Sequence, residues 1–171
     1  MPLSDVRQAL IDATYAVLLR GGIREVTPTS VAREAQLPEA AVVDHFSSVD
    51  DLLAATMRYL DKDLAQALAR CERADDPVAA FADFLVADFD DQRPRMIVKY
   101  ELFIHASRNP SMLPIARRWL ADLNDLVSTW TESRRATRTI VAYADGLLVQ
   151  ALISGERLDP RAVEATLKDL L

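Results

Sequence analysis

Residues 22–53 read G-I-R-E-V-T-P-T-S-V-A-R-E-A-Q-L-P-E-A-A-V-V-D-H-F-S-S-V-D-D-L-L, and this stretch decides the fold. Thr27-Pro28 sets a residue whose side-chain oxygen can cap a helix before one whose fixed φ suits a first turn. The spacing therefore predicts a short helix carrying Val31, Ala32 and Ala35. Gln36-Leu37-Pro38 turns the chain. A second short helix is expected over residues 38–45, with Ala41, Val42 and Phe46 as its apolar contacts. Ser47 and Ser48 then stand ahead of Asp50 and Asp51, hydroxyls followed by acids, as at the start of another helix. Two short helices joined by a tight turn, after a longer first helix, make a helix-turn-helix pattern.

Working outward, residues 4–20 place Val6, Leu10, Ala13, Val17 and Leu18 at helical spacing and stop at Gly21-Gly22. Residues 23–26 read as a connector. Beyond the motif a long helix extends to about residue 70, its inner stripe marked by Leu52, Leu53, Thr56, Met57, Leu60, Leu64 and Leu68. Asp76-Pro77, Pro94 and Asn109-Pro110 each open a further helix, the last running through Trp130. Residues 136–153 form a strongly apolar helix closed by Gly155, and Asp159-Pro160 opens a final one to Leu171. No segment alternates with period two. The expected fold class is all-α, about nine helices, divided into a helix-turn-helix domain over residues 1–47 and a larger helical domain over residues 48–171.

Composition narrows the chemistry. Of 171 residues half are apolar and 27% charged, a globular balance. The four glycines form neither G-x-G-x-x-G nor a P-loop, and H-E-x-x-H, C-x-x-C and G-x-S-x-G are all missing. His45 and His105 lie far apart in sequence, so no metal site is expected, and no cofactor and no enzymatic activity either. Cys71, between Arg70 and Glu72-Arg73, reads as a partly exposed free thiol and suits a reducing cytosol. No apolar run approaches the ~18 residues of a membrane span, and residues 1–5 do not look like a leader, so a cytoplasmic location is expected. The net charge of −6 argues against a non-specific polyanion binder.

The quoted stretch resembles the amino-terminal signature of the TetR family of transcriptional regulators. The likeness lies in Gly22, Val26-Thr27, Val31-Ala32, Ala35, Leu37, Phe46, Ser48, Asp50, Asp51 and Leu52. It extends more loosely to residues 144–148 and the closing Leu158-Asp159-Pro160. The resemblance implies a homodimer that binds DNA through the helix-turn-helix, with residues 48–171 binding a ligand and dimerising. It also implies control by a small apolar ligand that shifts the spacing of the two heads, which read half-sites about 34–36 Å apart. Phe84, Tyr100, Phe103, His105 and Trp119 are the candidate ligand residues; for any one of them, core packing is the plainer reading. Ile140, Ala144, Leu147, Leu148 and Ala151, with Leu167 of the last helix, are the candidate dimer face.

The positions that carry the resemblance are mostly packing positions, and the positions that face DNA in the family depart from it. The recognition helix here opens with Pro38-Glu39 and continues with Ala41, Val43, Asp44 and His45. It has no Lys or Arg. Residues 1–60 hold five arginines against eight acids. Thr27, Thr29, Arg33, Glu39, Ala41, His45 and Ser48 are the candidate DNA contacts. Because phosphate neutralisation supplies most non-specific affinity, two readings stand. One is a DNA-binding regulator whose few polar contacts suffice. The other is a protein whose head has lost most DNA affinity and acts as a ligand sensor or protein-interaction module.

Overall fold

Thr27 adopts an extended backbone and accepts a hydrogen bond from the Ser30 amide, while the Ser30 hydroxyl accepts one from the Thr27 amide at 3.0 Å. This reciprocal box starts one short helix, and similar local signals punctuate the rest of the chain. The computed structural model describes residues 3–90 and 93–171, and among them it is all-helical, with no strand. In chain order the helices are α1 (Leu3–Gly21), α2 (Pro28–Ala35), α3 (Glu39–His45), α4 (Val49–Glu72), α5 (Pro77–Asp90), α6 (Arg93–Ala106), α7 (Leu113–Ser128), α8 (Arg134–Ser154) and α9 (Pro160–Asp169). The connector after α1 contains a single 3-10 turn, Ile23–Glu25.

Two boundaries differ from the sequence expectation. Pro110 does not open a helix. The Asn109 side chain instead accepts from the Ser111 amide and hydroxyl, making a turn that delays α7 to Leu113. At its other end α7 stops at Ser128, so Trp130 lies in the following turn.

The chain divides into two compact units. The first comprises Met1–Lys62 with Ile97–Arg117. Within it α1 packs on α2 and α3, and Leu10, Val17, Leu18, Val31, Val42, Phe46, Leu52 and Leu53 are all buried. The second comprises Asp63–Met96 with Arg118–Leu171. There α5 packs on α9 and α8, burying Phe81, Leu85, Ile140, Leu148, Val163 and Leu167. Phe81 meets the Trp130 ring edge-on at 5.5 Å and Phe84 at 6.2 Å. This division falls elsewhere than residue 47: the first unit takes in the opening turns of α4 and residues 97–117 as well as the helix-turn-helix.

The terminal helix is fixed by its caps and its charges. Asp159 accepts from the Arg161 amide, and Pro160 occupies the first turn. Lys168 donates to Asp76 at 2.8 Å and to Glu164 at 2.6 Å. These hydrogen bonds push the Lys168 ammonium up to about 12, and the lysine holds Asp76 below the ordinary carboxylate range. Both side chains are solvent-facing, so the pair steers the register of α9 more than it stabilises the fold. Burial of Val163 and Leu167 supplies the stability. Leu167→Ala should therefore lower the unfolding free energy in urea by about 2–5 kcal/mol. A loss below 1 kcal/mol would show that α9 is not part of the core.

Candidate functional site

The helix-turn-helix is built from short-range bonds. Pro28 stands in the first turn of α2. The Ser30 hydroxyl also donates to the Glu25 carbonyl at 2.6 Å, tying α2 back to the connector. Gln36 ends α2 in the left-handed conformation, with φ 56°, and the Leu37 amide donates to the Ala32 carbonyl at 2.9 Å. That geometry satisfies the last carbonyls of α2 and turns the chain within two residues. Pro38 then leads into α3.

Helix α3 is anchored by Val42 and Phe46, both buried. The Arg7 guanidinium lies 5.0 Å from the centre of the Phe46 ring, a cation–π contact from α1. Its outer side is bare: Glu39, Ala40, Val43 and Asp44 are exposed, while Ala41 and His45 are half-buried. The outer side of α3 is thus open to solvent while Val42 and Phe46 face inward. The Thr29 hydroxyl donates to the Glu39 carboxylate at 2.9 Å, joining the start of α2 to the start of α3. Thr27, Thr29, Arg33 and Ser48 are exposed around it. Ser48 accepts from the Asp51 amide at 3.0 Å, and Asp51 accepts from the Ser47 amide at 3.2 Å, a cap for α4.

Charge on this unit is partly committed. Arg20 pairs with Glu34 at 2.8 Å, and Arg7 is engaged by Phe46. Arg33 remains exposed and has no ion pair among the described residues. Asp50, in the first turn of α4, lies 3.2 Å from His105 on α6.

A further support was not legible in the sequence. The Ile23 amide donates to Glu101 Oε2 at 3.2 Å, so α6 holds the connector that leads into the motif. Gly22 has φ 74°, and a Cβ there would lie 2.8 Å from Glu101 Oε1. The positive φ is what calls for glycine; the carboxylate beside it is the far end of a side chain and could shift, though only by disturbing its bond to Ile23. Glu101 lies 78 residues from Ile23, and nothing local to either residue signals the contact.

The ligand candidates are divided between the units. Tyr100, Phe103 and His105 are half-buried in the first; Phe84 is half-buried and Trp119 buried in the second. Sequence reasoning passed over Trp130 in choosing them, yet its indole N–H is buried without an acceptor beside Phe81. Among the dimer candidates Ile140, Ala144, Leu148, Ala151 and Leu167 are covered within a single chain, and Leu147 is half-buried. The exposed side of α8 instead carries Ala142, Val149 and Ile153, with Ile153 82% exposed, and the half-buried Gly146 lies between them. The Cys71 thiol is 5% exposed and points at the Ala80 carbonyl, 3.6 Å away, so it is buried and not a surface group. Burial pushes its pKa up, which makes it a poor nucleophile. Among the described residues no cluster of His, Cys, Asp or Glu could hold a metal, and no helix is long and apolar enough to cross a membrane.

Comparison with known proteins agrees with this architecture. Residues 72–171 match the family described as tetracyclin repressor-like, C-terminal domain. The HTH-type transcriptional regulator BetI of Paraburkholderia xenovorans is 30% identical, the alignment covering 99% of this chain and 93% of BetI. BetI of Burkholderia mallei is also 30% identical, over 94% of this chain and 89% of its own length. Among solved structures, a TetR-family member from Streptomyces coelicolor superposes with a TM-score of 0.86 at 28% identity, over 97% of this chain and 98% of that one. The multidrug binding protein EbrR complexed with ethidium gives 0.85, also at 28% identity, with the same coverage of both chains.

The Gly22–Glu101 contact yields a double-mutant test. Gly22→Ala should cost about 1–3 kcal/mol of stability, from left-handed strain plus the collision with the carboxylate. Adding Glu101→Ala should recover only part of that loss, since the strain stays. Full recovery in thermal denaturation would show that position 22 is constrained by space alone.

Proposed function

Since the chain belongs to the TetR family of transcriptional regulators, we propose that it acts in the cytoplasm as a homodimer whose DNA binding is controlled by a small apolar ligand. The carrying observation is the projecting face of α3, held by Val42 and Phe46 with its opposite side left bare. In functional terms residues 1–47 form the DNA-binding domain, and residues 48–171 the ligand-binding and dimerisation domain. Thr27, Thr29, Ser48 and Arg33 meet phosphates or sugar; Glu39, Ala41 and His45 meet the major groove. The reading in which the head has lost its DNA affinity is not favoured, because the BetI relatives, aligned over most or nearly all of this chain, are HTH-type regulators.

Control by a ligand requires differential affinity for two head spacings. EbrR is described as a multidrug binding protein in complex with imidazole, ethidium, proflavin and malachite green, all of which carry aromatic rings. That supports a small aromatic ligand here, with Phe84 and Trp119, or Tyr100, Phe103 and His105, as its contacts. The buried Trp130 N–H beside Phe81 favours a ligand that brings a hydrogen-bond acceptor.

For the dimer, α8 and α9 remain the elements of choice, with a shift of residues. Ile140, Ala144, Leu148, Ala151 and Leu167 fix α8 and α9 from within. Val149 and Ile153, which share one exposed face of α8, make the contact across the two-fold axis. Gly146 faces open space, where a Cβ would meet nothing, and allows two helices to approach closely.

Two measurements test this reading. Duplexes spanning the promoter beside its own gene should show saturable binding near 50 mM salt. Arg33→Ala should weaken that binding uniformly across sequences and reduce the salt slope by about one. No saturable binding would refute the DNA-binding role. In sedimentation, the native protein should run at twice its 19.0 kDa chain mass, and Ile153→Arg at the chain mass itself. An Ile153→Arg protein that stays dimeric would place the interface elsewhere.

A further inference from the structure

The bare face of α3 has a one-sided chemistry. Glu39 and Asp44 offer only acceptors, and Ala40 and Val43 offer only methyl groups. Val43 is 66% exposed, the most exposed large aliphatic in the first unit among the described residues. None of the exposed side chains Glu39, Ala40, Val43 and Asp44 can donate to guanine O6 or N7, the commonest specific contact of other readers, and the half-buried His45 at the end of α3 is the one side chain of the helix with an N–H. Glu39 is moreover held in place: Thr29 donates to Oε2, which leaves Oε1 to accept from a partner. A carboxylate carried into a groove flanked by phosphates is tolerated only opposite a donor. Unpaired, it loses its water and gains nothing.

The major groove offers two exocyclic donors, cytosine N4 and adenine N6. Adenine sets its N7 lone pair beside that donor, and a carboxylate facing both meets repulsion. Cytosine sets a C–H beside its amine. Among methyl groups, the groove offers only the thymine C5-methyl. Glu39 and Val43 are four residues apart on one helical face, about 6 Å along the axis. Base pairs stack about 3.4 Å apart, so the two residues reach positions one or two steps apart.

We propose that Glu39 and Val43 set the operator sequence of this protein. Glu39 accepts from N4 of a cytosine, and Val43 packs on the methyl group of a thymine one or two base pairs away. Thr29 is a positioning residue that presents Glu39. The inference rests on the DNA-binding reading above and adds which base pairs are read. It also gives the acidic face a purpose: the carboxylates penalise every wrong base, so discrimination comes from repulsion as much as from attraction.

The test is selection of duplexes from a randomised library near 50 mM salt by the full-length protein, repeated with Glu39→Gln, Glu39→Ala and Val43→Ala. Both positions are exposed, so the three variants should fold. The native protein should enrich half-sites with an invariant C·G pair, and replacing that pair should lower affinity at least about tenfold. Glu39→Ala should lose the cytosine preference while keeping the other enriched positions. Glu39→Gln should move the preference to adenine, whose N6 and N7 suit an amide. Deoxyuridine in place of the read thymine should weaken native binding about fourfold, the value of one buried methyl, and leave Val43→Ala unaffected. An enriched motif without an invariant cytosine, or one that Glu39→Ala leaves unchanged, overturns the proposal while DNA binding stands. Enrichment of nothing by the native protein overturns the DNA-binding role itself, and this proposal with it.

Discussion

A seven-residue helix has no stability of its own in water, because nucleation costs more than so few hydrogen bonds return. Helix α3 exists because Val42 and Phe46 are withdrawn from solvent on its inner side, with Arg7 laid over the Phe46 ring. Two anchors suffice only if the helix arrives at the right place and angle, which the Gln36 turn and the Thr27–Ser30 box secure. Every outward feature of the head depends on this arrangement. Apart from Glu39, which the Thr29 hydroxyl ties to α2, the outer side of α3 is left to solvent.

The same logic extends to the connector before α2. Gly22 is left-handed, and Glu101 occupies the space beside it while accepting from Ile23. His105, one helical turn further along α6, pairs with Asp50 at the start of α4. Residues 97–106 therefore touch both the entry to the helix-turn-helix and its exit into α4. Glu101 and His105 thus tie α6 to both ends of the helix-turn-helix, and the ligand control proposed above would need contacts of this kind that differ between two states.

Local chemistry made much of this legible in advance. Thr27-Pro28, Gly155 and Asp159-Pro160 mark helix ends because caps act over three or four residues, and apolar spacing located the helices between them. Where a cap signal was ambiguous the reading failed: Asn109-Pro110 makes a turn through the Asn109 side chain instead of opening α7. The site was less legible. That α3 projects followed from Val42 and Phe46, but the Thr29–Glu39 bond joins two helices and has no one-dimensional signature. For α8 the periodic stripe correctly marked an apolar face, yet Ile140, Ala144, Leu148 and Ala151 proved to be covered inside the chain. Periodicity shows that a face is buried and does not say by what. Cys71 failed for a related reason: its charged sequence neighbours point elsewhere on the helix while the thiol turns toward Ala80.

The five arginines and eight acids of residues 1–60 bear on how such a protein finds its target in a genome. Sliding along random sequence depends on a sequence-blind hold on the phosphates. With Arg7 and Arg20 engaged elsewhere and carboxylates leading α3, that hold is weak. Under the proposed DNA-binding role, a weak hold of this kind favours a search by repeated short collisions through solution over long slides along the chromosome.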